Sequence, residues 1–263
     1  MSSPAETSAP LTGTLTRTRV SVELVPRDLA GLQAELETIR SHLSGVDTVN
    51  VPDLTRFKLR SWHGCAAARA HVQRAIPHIR AIDIDPRRPL PMAEELLTNG
   101  ITEVLIVTGD APADMSRRVY ETSSLEIIRK FARELPEVKV YAALDPYRQG
   151  FTRERDYAQA KLEAGASGFF TQPFFDLRLM DLYADLLEPD AEVFWGVTTV
   201  TTARTLSYWQ ARNKAIFPRS FTPTLDWSRE MARAALHFAR ERGQHVYFMP
   251  VRADLKAYLE GIV

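Results

Sequence analysis

The chain has 263 residues with 33 basic and 33 acidic side chains, so it offers no charge surplus to hold a phosphate backbone, and nucleic acid is not expected as a partner. Its single cysteine, Cys65, forms no intrachain disulfide, which fits a reducing cytoplasm. No stretch reaches the apolar length that spans a bilayer, so no membrane is expected, and the length suits one domain around one core.

Residues 1–18 are rich in Ser, Thr, Ala and Pro without the apolar segment of a signal peptide; they read as a disordered tail ahead of a domain over residues 19–263. From Val20 onward short β-branched runs alternate with longer amphipathic segments. Strands are predicted over Val20–Val25, Asp47–Val51, Ile79–Ile84, Glu103–Thr108, Val138–Leu144, Gly168–Thr171, Glu192–Val197 and His245–Met249. Helices are predicted over Leu29–Leu43, Cys65–Ala75, Met92–Asn99, Ser123–Glu134, Arg153–Ala164, Leu177–Leu187, Ala203–Arg212, Ser228–Arg242 and Ala253–Leu259. Eight strand and helix alternations predict an α/β fold, a (β/α)8 TIM barrel, in which Ser228–Arg242 is an extra helix before the last strand. An open doubly wound sheet fits less well, because Glu23-Leu-Val-Pro-Arg-Asp28 after the first strand contains no glycine.

In such a barrel, chemistry sits where the strands end. Glu23 lies between Val22 and Leu24 in the first strand, so strand alternation turns it inward, where lost hydration raises a carboxyl pKa and suits a general acid. The alternative is a buried Glu paired with an interior cation such as Arg252. Asp110 follows Gly109 at the end of the apolar fourth strand, exposed above the barrel or serving as a turn or cap. His78, placed just before the third strand, is either a site group or a satisfied structural one. The third strand is expected to end in Asp83 and Asp85, the sixth in Gln172 and the eighth in Arg252. In Thr171-Gln-Pro-Phe-Phe-Asp176 a polar amide and an acid stand among aromatics, suited either to gripping a flat ring or to packing. Scattered histidines without paired cysteines give no metal motif, and Gly-x-Ser-x-Gly is absent.

Taken in order, Ser21-Val-Glu-Leu-Val-Pro26, Pro77-His-Ile-Arg-Ala-Ile-Asp83, Gly100-Ile-Thr-Glu-Val-Leu-Ile-Val-Thr-Gly-Asp-Ala-Pro112, Lys161-Leu-Glu-Ala-Gly-Ala166, Thr171–Asp176 and Gly196-Val-Thr-Thr-Val200 resemble the catalytic barrel of the methylenetetrahydrofolate reductases. The resemblance implies FAD across the strand ends, NADH or NADPH as its reductant, and reduction of 5,10-methylenetetrahydrofolate to 5-methyltetrahydrofolate, a step that leads to methionine biosynthesis. It implies Glu23 as the general acid that opens the imidazolidine ring to the iminium accepting hydride, and Asp110 as an acid near flavin and pterin. It further implies Gln172, Arg252 and Trp209 as substrate contacts, and His78, Thr108, Gly109, Tyr120 and Lys161 as cofactor contacts. The chain departs from the family at Pro52, Thr108, Leu144 and Ala160 and in the loop Asp145–Phe151, mostly on the cofactor side. A relative running the step oxidatively or holding FAD weakly or not at all, and a noncatalytic folate-binding subunit, stand as alternatives; a homo-oligomer and a partner protein are left open.

Overall fold

The computed structural model describes residues 17–111 and 118–263. The tail expected over residues 1–18 lies almost wholly outside them. Eight parallel strands follow in chain order: β1 Val20–Glu23, β2 Thr48–Val51, β3 Arg74–Arg80, β4 Glu103–Val107, β5 Lys139–Leu144, β6 Gly168–Thr171, β7 Glu192–Thr198 and β8 His245–Met249. They pair in sequence order and close, β1 lying against β8 with Val22 opposite Phe248. The helices are α1 Leu29–His42, α2 Ser61–Ala68, α3 Ala93–Thr98, α4 Ser124–Glu134, α5 Phe151–Glu163, α6 Leu177–Leu186, α7 Ala203–Arg212, α8 Leu225–Glu241 and α9 Leu255–Leu259. The expected extra helix is α8, between α7 and β8. Among the described residues no helix is long and apolar enough to cross a membrane.

The third strand corrects the sequence reading. The alanine run Ala66–Ala68 extends the helical pattern toward Ala75, and Pro77 argues against a strand interior. The chain instead leaves α2 at Ala68, and β3 takes Arg74–Arg80 with Pro77 opposite Val51. Ala81–Asp83 forms a 3-10 turn, so Asp83 stands past the strand end and His78 stands inside the strand.

Strand alternation divides the apolar side chains into two layers. Outward residues such as Val22, Val49, Val104, Phe169, Trp195 and Phe248 pack under the helices as the main core. Inward, Ile76, Leu105, Tyr141, Phe170, Phe194, Tyr247 and Met249 fill the barrel. Phe170 stacks on Phe194 with centroids 4.1 Å apart, and Phe170 meets the edge of Tyr247 at 5.2 Å. Gly168 lets β6 approach β7: a Cβ there would lie 2.0 Å from the Glu192 carbonyl oxygen.

Below the aromatic layer a polar cluster closes the amino end. Arg19 donates to both Glu103 carboxylate oxygens at 2.8 and 2.7 Å, and Tyr141 donates to Glu192 Oε2 at 2.8 Å. Lys139 pairs with the same Glu192, whose pKa is drawn down to about 2 by hydrogen bonds from His245, Lys139 and Tyr141 against the opposing effect of burial. Each of these groups stands at or before the first residues of its strand. Removing the carboxylate of Glu103 strands the Arg19 guanidinium inside the barrel; Glu103→Ala is expected to cost about 3 kcal/mol in chemical denaturation.

Candidate active site

The opposite, carboxyl end of the barrel carries polar side chains that the amino-end cluster does not neutralise. Ser21 and Glu23 share the inward face of β1, two residues apart. Glu23 is half-buried as a residue with its carboxyl turned into the barrel, and Tyr247 in β8 donates its hydroxyl to Glu23 Oε2 at 3.1 Å. Burial raises the Glu23 pKa to about 7, while the tyrosine hydrogen bond works the other way by favouring the ionised form. The alternative pairing with Arg252 is not formed: Arg252 is exposed in the loop after β8, at φ 55°.

A second chain of contacts crosses from β1 to β3. Ser21 Oγ donates to Asn50 Oδ1 at 2.8 Å, and Asn50 Nδ2 lies 3.0 Å from His78 Nε2. Burial presses the His78 pKa down to about 3, so the imidazole is neutral. An amide nitrogen only donates, so His78 Nε2 accepts and its proton sits on Nδ1. Ser61 Oγ donates to the His78 carbonyl at 2.7 Å and fixes the strand behind the ring.

Beside this chain a cleft of about 350 Å³ opens over β2 to β6, with Pro52, His78, Arg80, Asp110, Lys161 and Gln172 among its walls. Thr108 and Gly109 also line it. Gly109 adopts φ 85°, and a Cβ there would lie 3.2 Å from the Arg80 side chain, so the turn that presents Asp110 requires glycine. Gln172 follows β6, its backbone held by the Leu144 carbonyl at 2.7 Å. Lys161 reaches in from α5: its ammonium donates to the Ala143 carbonyl at 2.6 Å and lies 3.9 Å from the Tyr157 ring centre. Burial lowers its pKa to about 8.

The donor set tests the FAD that the family resemblance implies. A diphosphate needs cations or amides that are not already committed. Among the described residues, Arg60 is clamped on Asp53, Arg80 on Asp83, and Arg148 on the wholly buried Glu154 at 3.0 Å. Glu154 also accepts from Gln149 at 2.7 Å and from the Asp145 amide at 3.1 Å. Pro52 brings no N–H, Leu144 and Ala160 bring no polar side chain, and the Lys161 ammonium is already engaged by the Ala143 carbonyl. The cleft suits a flat ring bearing amide and amine groups, which Gln172 and Asp110 can meet; its cations do not match a diphosphate.

The structure thus gathers His78, Thr108, Gly109, Asp110, Lys161 and Gln172 around one cleft, with Glu23 on the β1 and β8 side of the same strand-end face. Three expected residues lie elsewhere. Tyr120 lines a separate surface groove with Asp85 and Arg87, its amide held by the Ile82 carbonyl at 2.8 Å. Trp209 is buried in an aromatic cluster with Phe175 and Val200, and Arg252 is outside the cleft walls. Within Thr171–Asp176, Phe174 and Phe175 are core, and Asp176 caps α6 by accepting from the Arg178 amide at 2.9 Å. Among the described residues no cluster of His, Cys, Asp and Glu forms a metal site. Sequence reasoning missed Tyr247, Asn50, Ser21 and Arg80; only strand parity, which pairs Ser21 with Glu23 on one face, signals any of them.

Residues 55–241 match the family described as methylenetetrahydrofolate reductase. The 5,10-methylenetetrahydrofolate reductase of Escherichia coli (strain K12) is 24% identical over 131 residues, covering 48% of this chain and 44% of that protein, so the match spans less than half of the relative. A protein from Clostridium thermocellum, described as binding two copies of 5-methyl-5,6,7,8-tetrahydrofolic acid, superposes with TM-score 0.61 at 13% identity over 93% of both chains. Dihydropteroate synthase from Thermus thermophilus does so with TM-score 0.51 at 19% identity, over 94% of this chain and 92% of that one. At these identities the structural likeness shows the fold alone.

Replacing Tyr247 by Phe removes the one donor that favours ionised Glu23. The Glu23 pKa is expected to rise by about one unit above its parent value, read by carboxyl carbon NMR across a pH titration.

Proposed function

Because this chain belongs to the methylenetetrahydrofolate reductase family, we propose that it reduces 5,10-methylenetetrahydrofolate to 5-methyltetrahydrofolate with electrons from NADH or NADPH. The observation that carries this reading is Glu23: a carboxyl at the end of β1 whose pKa is raised to about 7 and whose hydrogen-bond partner among the described residues is a tyrosine hydroxyl. Opening the imidazolidine ring needs a proton on N10 as the C–N bond breaks. A neutral carboxyl supplies it with no cation nearby to hold the proton back. The resulting N5 iminium takes hydride at the methylene carbon and becomes the N-methyl group; the proton stays on N10, and Glu23 regains one from water. Asp110 and Gln172 hold the pterin amide and amine edge in the cleft, and neutral His78, donating through Nδ1–H, adds no charge against the iminium. The fold neighbour that binds 5-methyltetrahydrofolate supports a folate as the ligand of this face.

FAD, where bound, would supply hydride transfer in two half-reactions, first from the nicotinamide and, once that has left, to the folate. The committed pairings of Arg60, Arg80 and Arg148 favour a second reading, in which FAD is held weakly or not at all.

The visible spectrum of the purified protein separates the two. A bound flavin bleached by NADH and by 5-methyltetrahydrofolate supports the family arrangement; a colourless protein that turns over folate supports the second reading; binding of folate with no turnover by either route identifies a noncatalytic subunit and overturns the reductase. Glu23→Gln is expected to lower the folate step by at least a hundredfold while leaving NADH-dependent reduction of any bound flavin, or NADH affinity, near the parent value. Activity of the parent on folate should fall as pH rises above about 7, because the acid form is lost through its folded-state pKa. The same sign makes Glu23→Gln more stable than the parent at pH 8, with the gap closing below about pH 4.5, measured by denaturation at both ends.

A further inference from the structure

Arg80 stands at the last position of β3 with its side chain lying over the strand ends. Its Nε donates to Asp83 Oδ2 at 3.1 Å, and its Nη2 donates to the Asp110 carbonyl at 2.6 Å. Asp83 lies 3.9 Å from Arg60, which is clamped on the buried Asp53 through two bonds of 2.9 and 2.5 Å. Asp53, Arg60, Asp83, Arg80 and the Asp110 carbonyl therefore form one line of alternating charge across the loops that follow β2, β3 and β4. The Ile82 amide adds a backbone tie to the Thr108 carbonyl at 3.2 Å. Arg80 lines both the cleft and a neighbouring groove of about 330 Å³ that also holds Trp62, Met92 and Arg118.

We propose that Arg80 is a positioning residue: it fixes the Gly109–Asp110 turn, and through that turn the direction in which the Asp110 carboxylate meets the substrate. Three observations converge on this. Arg80 is the side chain seen to grip the Asp110 backbone, its guanidinium packs against the one glycine whose φ makes the turn, and its own orientation is set by Asp83 and not by solvent. The Asp110 carboxylate is exposed, so its aim depends on the backbone that carries it. A guanidinium is needed because Nε and Nη2 act in different directions at once; an ammonium reaches one partner or the other. The inference rests on the proposed contact between Asp110 and the pterin.

A double-mutant cycle tests it, with Arg80→Gln, Asp110→Asn and the pair assayed for folate turnover at fixed NADH and for thermal unfolding. Arg80→Gln is expected to lower kcat/KM for the folate about tenfold, mostly through KM, while in the Asp110→Asn background it changes kcat/KM by less than about twofold. Arg80→Lys keeps the charge beside Asp83 and is expected to show the same KM defect with a parent-like melting curve, which guards against a variant that merely unfolds. If Asp110→Asn impairs turnover and Arg80→Gln then adds its full factor, the positioning role is overturned while the reading of the site stands. If Asp110→Asn alone leaves kcat/KM at the parent value, the contact of Asp110 with substrate fails, and the role of Arg80 falls with it.

Discussion

A carboxylate taken out of water must find a cation or keep a proton, and this barrel gives both answers, one at each end. At the amino end Glu103 meets a bidentate guanidinium and Glu192 meets Lys139, Tyr141 and His245, so both hold negative charge inside the fold. At the carboxyl end Glu23 meets, among the described residues, the hydroxyl of Tyr247 and keeps its proton toward neutrality. The aromatic layer of Tyr141, Phe170, Phe194 and Tyr247 separates the two regimes. One end holds ionised carboxyls and the other a carboxyl that keeps its proton toward neutrality because of what faces each, with the same side-chain chemistry in both.

The rest of the strand-end face follows from that asymmetry. Arginines are abundant there, yet Arg60, Arg80 and Arg148 each stand against an acid and organise loops. Much of the charge in the face is paired internally, and the groups left toward the cleft include the amide of Gln172, the uncharged imidazole of His78 and the exposed carboxylate of Asp110. Such a face suits a heterocycle dense in donors and acceptors better than a polyanion.

Much of this was legible in the chain. Parity alone turns Glu23 inward, and the continuous apolar run before Gly109-Asp110 marks a strand ending in an exposed acid. The helix expected over Ala203–Arg212 matches α7, and the structure adds Thr202 as its cap. What was illegible has specific causes. Pro77 argues against the strand that contains it, because a missing N–H is tolerable only where the neighbouring strand does not call on it, and that is a fact of register. Tyr247 looks like any core aromatic of β8, since its partner is 224 residues away. Arg80 falls near the start of the strand expected over Ile79–Ile84, and only the shifted β3, with the turn after β4 folded onto its end, gives it a partner in the Asp110 backbone. Trp209 is apolar enough to be claimed by Phe175 and its neighbours, and sequence cannot rank a stacking role against packing.

The pairing of β1 with β8 has a bearing on how the molecule is made. These strands are the first and last of the sheet, and every other neighbouring pair in the barrel joins consecutive strands of the chain. Contacts of such sequence separation are costly in loop entropy and form late. Glu23 and Tyr247 sit on opposite sides of that seam, so the carboxyl and the hydroxyl that donates to it first meet when the ring of strands shuts. A chain with six or seven strands in place would have the walls of the cleft over β2 to β6 without the Glu23–Tyr247 pair, so the titration of Glu23 would report closure of the barrel.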